Sequence, residues 1–169
     1  MSAKPARRAS APDIEIDIQS PLWETQPEAE ATVRAAVRAA ATRAPADGEM
    51  SVLLADDAAV KALNRDWRGI DKPTNVLSFP AAETPRAAGV PAFLGDIAIA
   101  FETLEREARE EDKPLLHHLA HLAVHGYLHL LGYDHETDSE AEAMEALERE
   151  ILAAMRIPDP YAADTADIA

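Results

Sequence analysis

The sequence predicts an α+β domain, in which a small mixed β-sheet of about four strands is covered by helices. Segments with the pattern of strands concentrate in the first hundred residues, whereas most of the remaining chain has the apolar spacing of helices. The 169 residues suit one domain with a sizeable core. A hydrophobic share of 47% and a charged share of 28% are ordinary for a globular protein and agree with this class.

Four segments have strand character. In the first, Ile14, Ile16 and Ile18 alternate with acidic residues, which is the period-two pattern of a half-buried strand. Prolines and a glycine mark residues 80–93 as a long loop before the last strand. The predicted strands are DIEIDIQS (13–20), EMSVLLA (49–55), TNVLSF (74–79) and DIAIA (96–100).

Five segments have helical spacing. Asp56 or Asp57 is suited to cap the second of them, and Ser139 or Asp138 is suited to cap the last. Pro114 fits the first turn of the fourth helix, where a missing N–H costs little. The predicted helices cover residues 27–44, 56–67, 101–111, 114–131 and 139–155.

The predicted domain covers residues 13–156, between a disordered tail over 1–12 and a frayed tail over 157–169. No apolar run approaches the roughly 20 residues that a membrane-spanning helix needs, and no apolar secretion signal follows the N-terminus. The chain has no cysteine, so any bound metal must have nitrogen and oxygen ligands. These observations predict a cytoplasmic protein that does not contact membranes.

The net charge of −15 argues against a broad basic surface for nucleic acid. A local basic patch remains compatible with it, because charges farther apart than roughly 8 Å are largely screened at physiological salt. Arg65, Arg68 and Lys72 concentrate positive charge around one loop, and arginine pairs well with phosphate oxygens. A solvated loop with scattered charges is an equally good interpretation of these three residues.

The segment HGYLHLLGYDH, residues 125–135, holds three of the six histidines of the chain. Three histidine pairs have the four-residue helical spacing that lets two imidazoles bind one ion, namely 117/121, 121/125 and 125/129. Gly132 favours the last pair, because it can end the helix and bring His135 back over its end. The pattern therefore predicts one metal ion at the end of a helix bordering a cleft. Three imidazole ligands and one open position are typical of catalytic zinc.

Other interpretations of the histidines are open at this point. Imidazole ligands also admit nickel, copper or iron. The histidine stripe could be a solvated face, but Leu128, Leu130 and Leu131 surround it, and buried unpaired imidazoles are costly. We expect His117 and His121 to be supporting or exposed residues rather than ligands.

A zinc ion held by three histidines lowers the pKa of its bound water toward about 7, which suits hydrolysis of an ester, an amide or a phosphodiester. The pattern also overlaps the protease signature H-E-x-x-H-x-x-G-x-x-H. Gly126 stands where those proteases need the glutamate that serves as general base. A zinc peptidase or amidase of metzincin-like geometry is therefore the alternative and not the first hypothesis.

Together with DKPTNVLSFP (71–80) and LGDIAIA (94–100), the histidine segment resembles the YbeY-type metal-dependent endoribonucleases, the rRNA maturation factors. The resemblance covers residues 50–155. It implies a zinc-dependent endoribonuclease that is specific for single strands and acts in maturation of the small-subunit rRNA 3′ end and in ribosome quality control. The implied fold is a mixed sheet covered by helices, with the histidines at one end of a cleft.

The resemblance also implies roles for individual residues. His125, His129 and His135 are expected to bind one Zn²⁺, and Arg68 in the WRG segment is expected to be the functional arginine near the substrate channel. The expected partners are single-stranded RNA and the small ribosomal subunit, with no DNA. A ribosome-assembly factor with little catalysis of its own is a further alternative.

Several neighbouring residues are further candidates for a role at the site. We expect Arg65 and Lys72 to bind substrate beside the arginine of the WRG segment. The family motif admits Asp or Asn at position 75, and the amide of Asn75 cannot accept a proton in catalysis. Asp134 and Glu136 flank the third histidine and could orient it. The residue that moves the proton is not identified by the sequence.

Overall fold

The computed structural model describes residues 11–82 and 86–162. Its single sheet in these ranges has the strand order β1-β2-β4-β3, in which β1, β2 and β4 are parallel and β3 is antiparallel to β4. The predicted α+β class and the mixed sheet of four strands are confirmed. The strands are β1 (Asp13–Ile18), β2 (Glu49–Ala55), β3 (Val76–Pro80) and β4 (Phe93–Ala100).

Five α-helices and a short 3₁₀ helix over Pro21–Thr25 accompany the sheet in the described ranges. Each predicted helix is present with bounds within two residues of the expectation, whereas the 3₁₀ helix was not predicted. The helices are α1 (Ala29–Arg43), α2 (Asp57–Arg68), α3 (Phe101–Glu110), α4 (Leu115–Leu130) and α5 (Asp138–Ala154). None of the described helices is long and apolar enough to cross a membrane.

Both faces of the sheet are covered, as the alternating side chains of β4 show. Ile97 and Ile99 belong to the main core, which the sheet shares with α1, α4 and α5. Ala98 and Ala100 belong to a smaller core beneath α2. Successive side chains of a strand point to opposite faces, so one short strand contributes to both cores. Helix α4 lies over one face and brings its histidines to the edge strand β3.

Two helix caps can be assigned to single residues. The Asp56 carboxylate accepts the Ala59 N–H at 2.9 Å and therefore caps α2, as one of the two predicted residues. The cap of α5 was predicted as Ser139 or Asp138, and this is wrong. Thr137 is the cap, because its hydroxyl accepts the Glu140 N–H at 3.1 Å and the helix already begins at the next residue.

Two further parts of the sequence prediction differ in detail. Ile18 is 55% exposed and not half-buried, because it ends the edge strand β1, whereas Ile14 and Ile16 pack against the main core. Strand β4 begins three residues earlier than predicted.

The predicted tails are only partly covered by the structure. Residues 1–10 and 163–169 lie outside the described residues. Within the predicted C-terminal tail, Ile157 packs against the main core, and the Tyr161 N–H donates to the Asp159 carboxylate at 2.8 Å.

Candidate metal centre

The chain reverses direction directly after α4, as the sequence predicted. Gly132 has φ of +97°, which is the left-handed region that favours glycine. Its N–H donates to the His129 carbonyl at 3.1 Å, and the Tyr133 N–H donates to the Leu128 carbonyl at 3.1 Å. This pair of hydrogen bonds is a Schellman motif, which satisfies the last carbonyls of the helix and turns the chain back over its end.

The reversal brings three imidazoles together. His125 and His129 lie one turn apart on α4, and His135 follows the reversal; their ligand nitrogens lie within 4.8 Å of one another. The Nε2 atoms of His125 and His129 are only 3.0 Å apart. The ring of His135 lies 5.1 Å from that of His129 and 5.9 Å from that of His125, measured between centroids. The third ring therefore faces the other two.

The donor set fits a cation of the zinc type. Burial lowers the pKa of His129, and the nearby His125 and His135 lower it further, so the neutral imidazole is favoured. Neutral imidazoles present lone pairs, and three of them directed at one point match the three-histidine sites that leave a fourth position open. Nitrogen-only ligation is also accepted by other transition metals.

A buried carboxylate lies behind His125. The Nδ1 atom of His125 is 2.6 Å from the Glu148 carboxylate, which is fully buried in α5. Burial acts to raise the pKa of Glu148, but hydrogen bonds with His121 and His125 outweigh it and lower the pKa to about 2. An anionic Glu148 can only accept, so His125 donates from Nδ1, and in the neutral imidazole the lone pair is then on Nε2, which faces His129.

The remaining histidines of α4 have other partners. The Nε2 atom of His121 is 3.3 Å from the Tyr161 hydroxyl and 3.7 Å from the Glu148 carboxylate. His121, His125 and Glu148 form a second group whose ligand atoms lie within 4.8 Å of one another. His118 is buried, and its Nε2 is 2.9 Å from the Glu107 carboxylate. His117 is partly exposed.

The sequence reasoning missed Glu148, although a signal was available. Glu148 falls on the same stripe of α5 as Met144, Ile151 and Leu152, all of which are buried. The helical period predicts an apolar residue at this position. An acidic residue there indicates that the buried carboxylate has a hydrogen-bond donor as its partner. Tyr161 was missed because it lies in the segment that was predicted to be frayed.

A cleft of about 590 Å³ opens in front of the three histidines. Arg68 lines this cleft, with its Nη2 donating to the Ser78 carbonyl at 2.6 Å and its guanidinium 5.4 Å from the centre of the Phe79 ring. Asn75 also lines it. The Asn75 side chain accepts the Val76 N–H at 2.7 Å and donates to the Glu107 carboxylate at 2.9 Å, so it is held on both sides. Asp134 and Glu136 stand at the same cleft.

Arg65 and Lys72 lie elsewhere in the described structure. The Arg65 guanidinium pairs with Asp66 at 3.0 Å on the exposed side of α2. Lys72 is exposed, and its carbonyl accepts from the Asn64 side chain at 2.9 Å. Neither is among the described residues that line the cleft. Their predicted contact with substrate stays a prediction.

Gly126 is the residue that separates this site from the protease signature. A Cβ atom at this position would lie 2.9 Å from the Ile97 Cδ1 and 3.2 Å from the Ser78 Oγ. A larger side chain at this position would therefore have to displace the side chain of Ile97 or Ser78. The peptidase alternative is disfavoured because the position after the first histidine holds a glycine, which cannot act as a general base.

Comparison with known proteins decides the family. A family model described as Endoribonuclease YbeY matches residues 15–156. The chain belongs to the YbeY endoribonuclease family. A relative from Bradyrhizobium sp. (strain BTAi1 / ATCC BAA-1182), named Endoribonuclease YbeY, is 57% identical over 157 residues, which cover 89% of this chain and 93% of that protein.

Two further proteins show the same likeness. A relative from Rhodopseudomonas palustris (strain BisA53), also named Endoribonuclease YbeY, is 59% identical over 157 residues and covers 89% of this chain and 91% of that protein. Among solved structures, the solution structure of TM1509 from Thermotoga maritima is 29% identical, with a TM-score of 0.46, and covers 85% of this chain and 91% of that chain. The family model and the two relatives confirm the family resemblance seen in the sequence motifs.

Proposed function

We propose that the protein is a zinc-dependent endoribonuclease that cleaves single-stranded RNA. Its relatives are named endoribonucleases and are similar over most of the chain. The observation that carries the proposal is the position of three facing imidazoles in an open cleft that also contains an arginine. Hydrolysis of a phosphodiester needs both parts, because the attacking group has to be activated and the negative charge has to be stabilised.

His125, His129 and His135 would hold the ion, which we take to be a single Zn²⁺. When bound, zinc supplies Lewis acidity that makes a water nucleophilic near neutral pH and polarises a phosphoryl oxygen. The imidazoles would hold the ion at the cleft. His125 does so from a rigid helix with its Nδ1 held by Glu148, and His135 does so from the exposed turn beyond Gly132.

Arg68 supplies the positive charge of the cleft. Its hydrogen bond to the Ser78 carbonyl anchors one end of the guanidinium to the edge strand, while the side chain remains exposed to the cleft. Donors that are already positioned stabilise the charge that develops on a phosphate in the transition state. We propose this role for Arg68, and a weaker electrostatic role in RNA binding for Arg65 and Lys72.

The biological setting that we propose is the one that the family resemblance implies, and the charge of the chain is compatible with it. A chain with a net charge of −15 has little non-specific attraction for RNA beyond a short positive channel. We propose that it finds its substrate, the 3′ end of the small-subunit rRNA, through the small ribosomal subunit in the cytoplasm. Weak affinity for unstructured RNA with a shallow salt dependence would agree with this, and a steep dependence would contradict it.

The test combines elemental analysis of the purified protein with an RNA cleavage assay with and without a chelator. We expect one zinc per chain and cleavage of single-stranded RNA that stops when zinc is removed and returns when it is restored. Casein incubated in parallel should remain intact. Cleavage that persists in the chelated protein, or casein degradation, would refute the proposal, and tight binding to small-subunit particles without cleavage would favour an assembly factor.

A further inference from the structure

We propose that Glu148 is the positioning residue of the metal centre and that the C-terminal segment 158–161 holds it in place through Tyr161. This rests on the proposed function only in that the three histidines are taken to bind zinc. The proposal extends the site from the cleft to a buried carboxylate of α5 and to the segment that follows this helix.

The first step is the burial of Glu148. The residue is 0% exposed and sits among apolar residues of the main core. A buried carboxylate is strongly unfavourable unless donors surround it. One oxygen contacts the His125 and His121 imidazoles at 2.6 and 3.7 Å, and the other accepts from the Tyr161 hydroxyl. Both oxygens therefore have donors, and the carboxylate is fixed in orientation.

The second step is the tautomer of His125. Because Glu148 accepts at Nδ1, the proton of a neutral His125 is on Nδ1 and the Nε2 lone pair is directed at His129, 3.0 Å away. A carboxylate behind a histidine ligand fixes both the ring rotation and the tautomer, and it increases the basicity of the ligand nitrogen. Without Glu148, both the ring rotation and the tautomer of His125 would be less restricted.

The third step is the anchoring of Tyr161. The Tyr161 N–H donates to the Asp159 carboxylate at 2.8 Å, and Asp159 in turn pairs with Arg149 of α5 at 3.2 Å. The Arg149 guanidinium also lies 5.3 Å from the centre of the Tyr161 ring. The segment is thus bound to α5 at Arg149, the residue that follows Glu148. This contact places the Tyr161 hydroxyl beside the Glu148 carboxylate.

A second metal ion is the competing explanation of the same cluster. His121, His125 and Glu148 could hold an ion of their own, since their ligand atoms lie within 4.8 Å of one another. That ion would need the Nδ1 lone pair of His125, whereas the positioning role needs a proton on the same atom. The two explanations therefore exclude each other and differ in the number of ions bound per chain.

The test uses Glu148→Gln, Glu148→Ala and Tyr161→Phe, with Glu142→Gln as the control because Glu142 is exposed on the same helix. Zinc affinity is measured by competition with a chromophoric chelator, after circular dichroism has shown that each variant is folded. We expect Glu148→Ala to weaken zinc binding by roughly 10- to 100-fold, Glu148→Gln to weaken it less, and Tyr161→Phe to weaken it least. The control should equal the wild type.

The second readout is the tautomer of His125 in the metal-free protein, observed by ¹⁵N NMR of the imidazole. We expect the Nδ1–H form in the wild type and a mixture of tautomers in Glu148→Ala. An unchanged tautomer together with unchanged affinity in Glu148→Ala, or two zinc ions per chain, would overturn the positioning role. If the wild type bound no zinc, the proposed function would fail, and the tautomer would still decide the role of Glu148.

Discussion

The two halves of α4 use the same residue type in opposite ways. In the N-terminal half, His118 and His121 lie beside the carboxylates of Glu107 and Glu148. In the C-terminal half, His125 and His129 turn their Nε2 atoms toward each other at 3.0 Å. The Nε2 atoms of His118 and His121 thus each have a carboxylate beside them, while their buried Nδ1 atoms have no hydrogen-bond partner among the described residues. In the C-terminal half the two Nε2 atoms face each other, an arrangement that either a shared proton or a bound cation would stabilise. We infer from this difference that His118 and His121 support the fold, whereas His125 and His129 are the proposed ligands of a cation.

His125 connects the two halves, because its two nitrogens serve different purposes. Nδ1 faces the buried carboxylate of Glu148, and Nε2 faces the cleft. The boundary between the two halves of the helix therefore falls at His125, whose Nδ1 contacts the core and whose Nε2 contacts the cleft. If this distinction is right, substitutions in the two halves will have different readouts.

The largest effect should come from the C-terminal half. His129→Ala removes one of the three proposed ligands, and we expect zinc affinity to fall by more than the roughly 100-fold that changes in supporting residues produce. Thermal stability of the metal-free protein should change little, because His129 is only partly buried. The measurement is zinc content after dialysis against a weak chelator.

The matched change in the N-terminal half is His117→Ala, because His117 is also a partly exposed histidine of α4. It should leave the zinc content at the wild-type level. Equal loss of zinc in the two variants would remove the distinction between the halves.

A smaller effect is expected from Arg68, which faces the histidines but binds no ion. Arg68→Ala should reduce the rate of RNA cleavage on the order of 10²-fold, the loss typical for one preorganised donor. The zinc content should not change. Arg38→Ala, an exposed arginine of α1, serves as the control in the same cleavage assay. If Arg68→Ala cleaves RNA at the wild-type rate, the arginine has no part in the chemistry.

Much of this arrangement could be predicted from sequence, because its determinants are local. The four-residue spacing of His125 and His129 and the reversal at Gly132 act within one helix and its end. The helical spacing of apolar residues likewise predicts the bounds of α1 to α5 to within two residues. The bounds of β4 were less accurate, because Gly95 has φ of +142° and the register with β2 shifts at the same point.

The supporting residues could not be predicted in the same way. Glu148 reaches His125 across 23 residues of sequence, and the chain offers 31 acidic residues as candidates. Tyr161 lies among small and acidic residues that form no periodic pattern. Contacts between separate elements depend on packing, which the sequence does not show directly. The only sequence signal for the contact between Glu148 and His125 was the acidic residue on the apolar stripe of α5.

The smallest effect that we predict is on the pH dependence of stability, through Glu107, which contacts His118 in the N-terminal half of α4. Burial acts to raise the pKa of Glu107, but the hydrogen bonds from His118 and Asn75 outweigh it, so the pKa lies below its usual value of 4.5. A carboxyl group with a depressed pKa stabilises the fold above its unfolded pKa and loses this contribution as the pH falls through the folded value. Glu107→Gln should therefore lower the free energy of unfolding at neutral pH, and the difference from wild type should shrink below pH 4.5.

Urea titrations of both proteins at several pH values measure this difference. Glu110→Gln, at an exposed position of the same helix, should show no such pH dependence. A Glu107→Gln difference that stays constant from neutral to acidic pH would show that the depressed pKa of Glu107 does not contribute to stability.

The most direct measurement is a crystal structure of the zinc-loaded protein with anomalous data collected at the zinc edge. The account predicts one anomalous peak within bonding distance, about 2.0–2.1 Å, of ring nitrogens of His125, His129 and His135. It predicts no peak between His121 and Glu148. A peak at that second group, or a zinc ion bound without His135, would contradict the claim that the reversal at Gly132 builds the metal site.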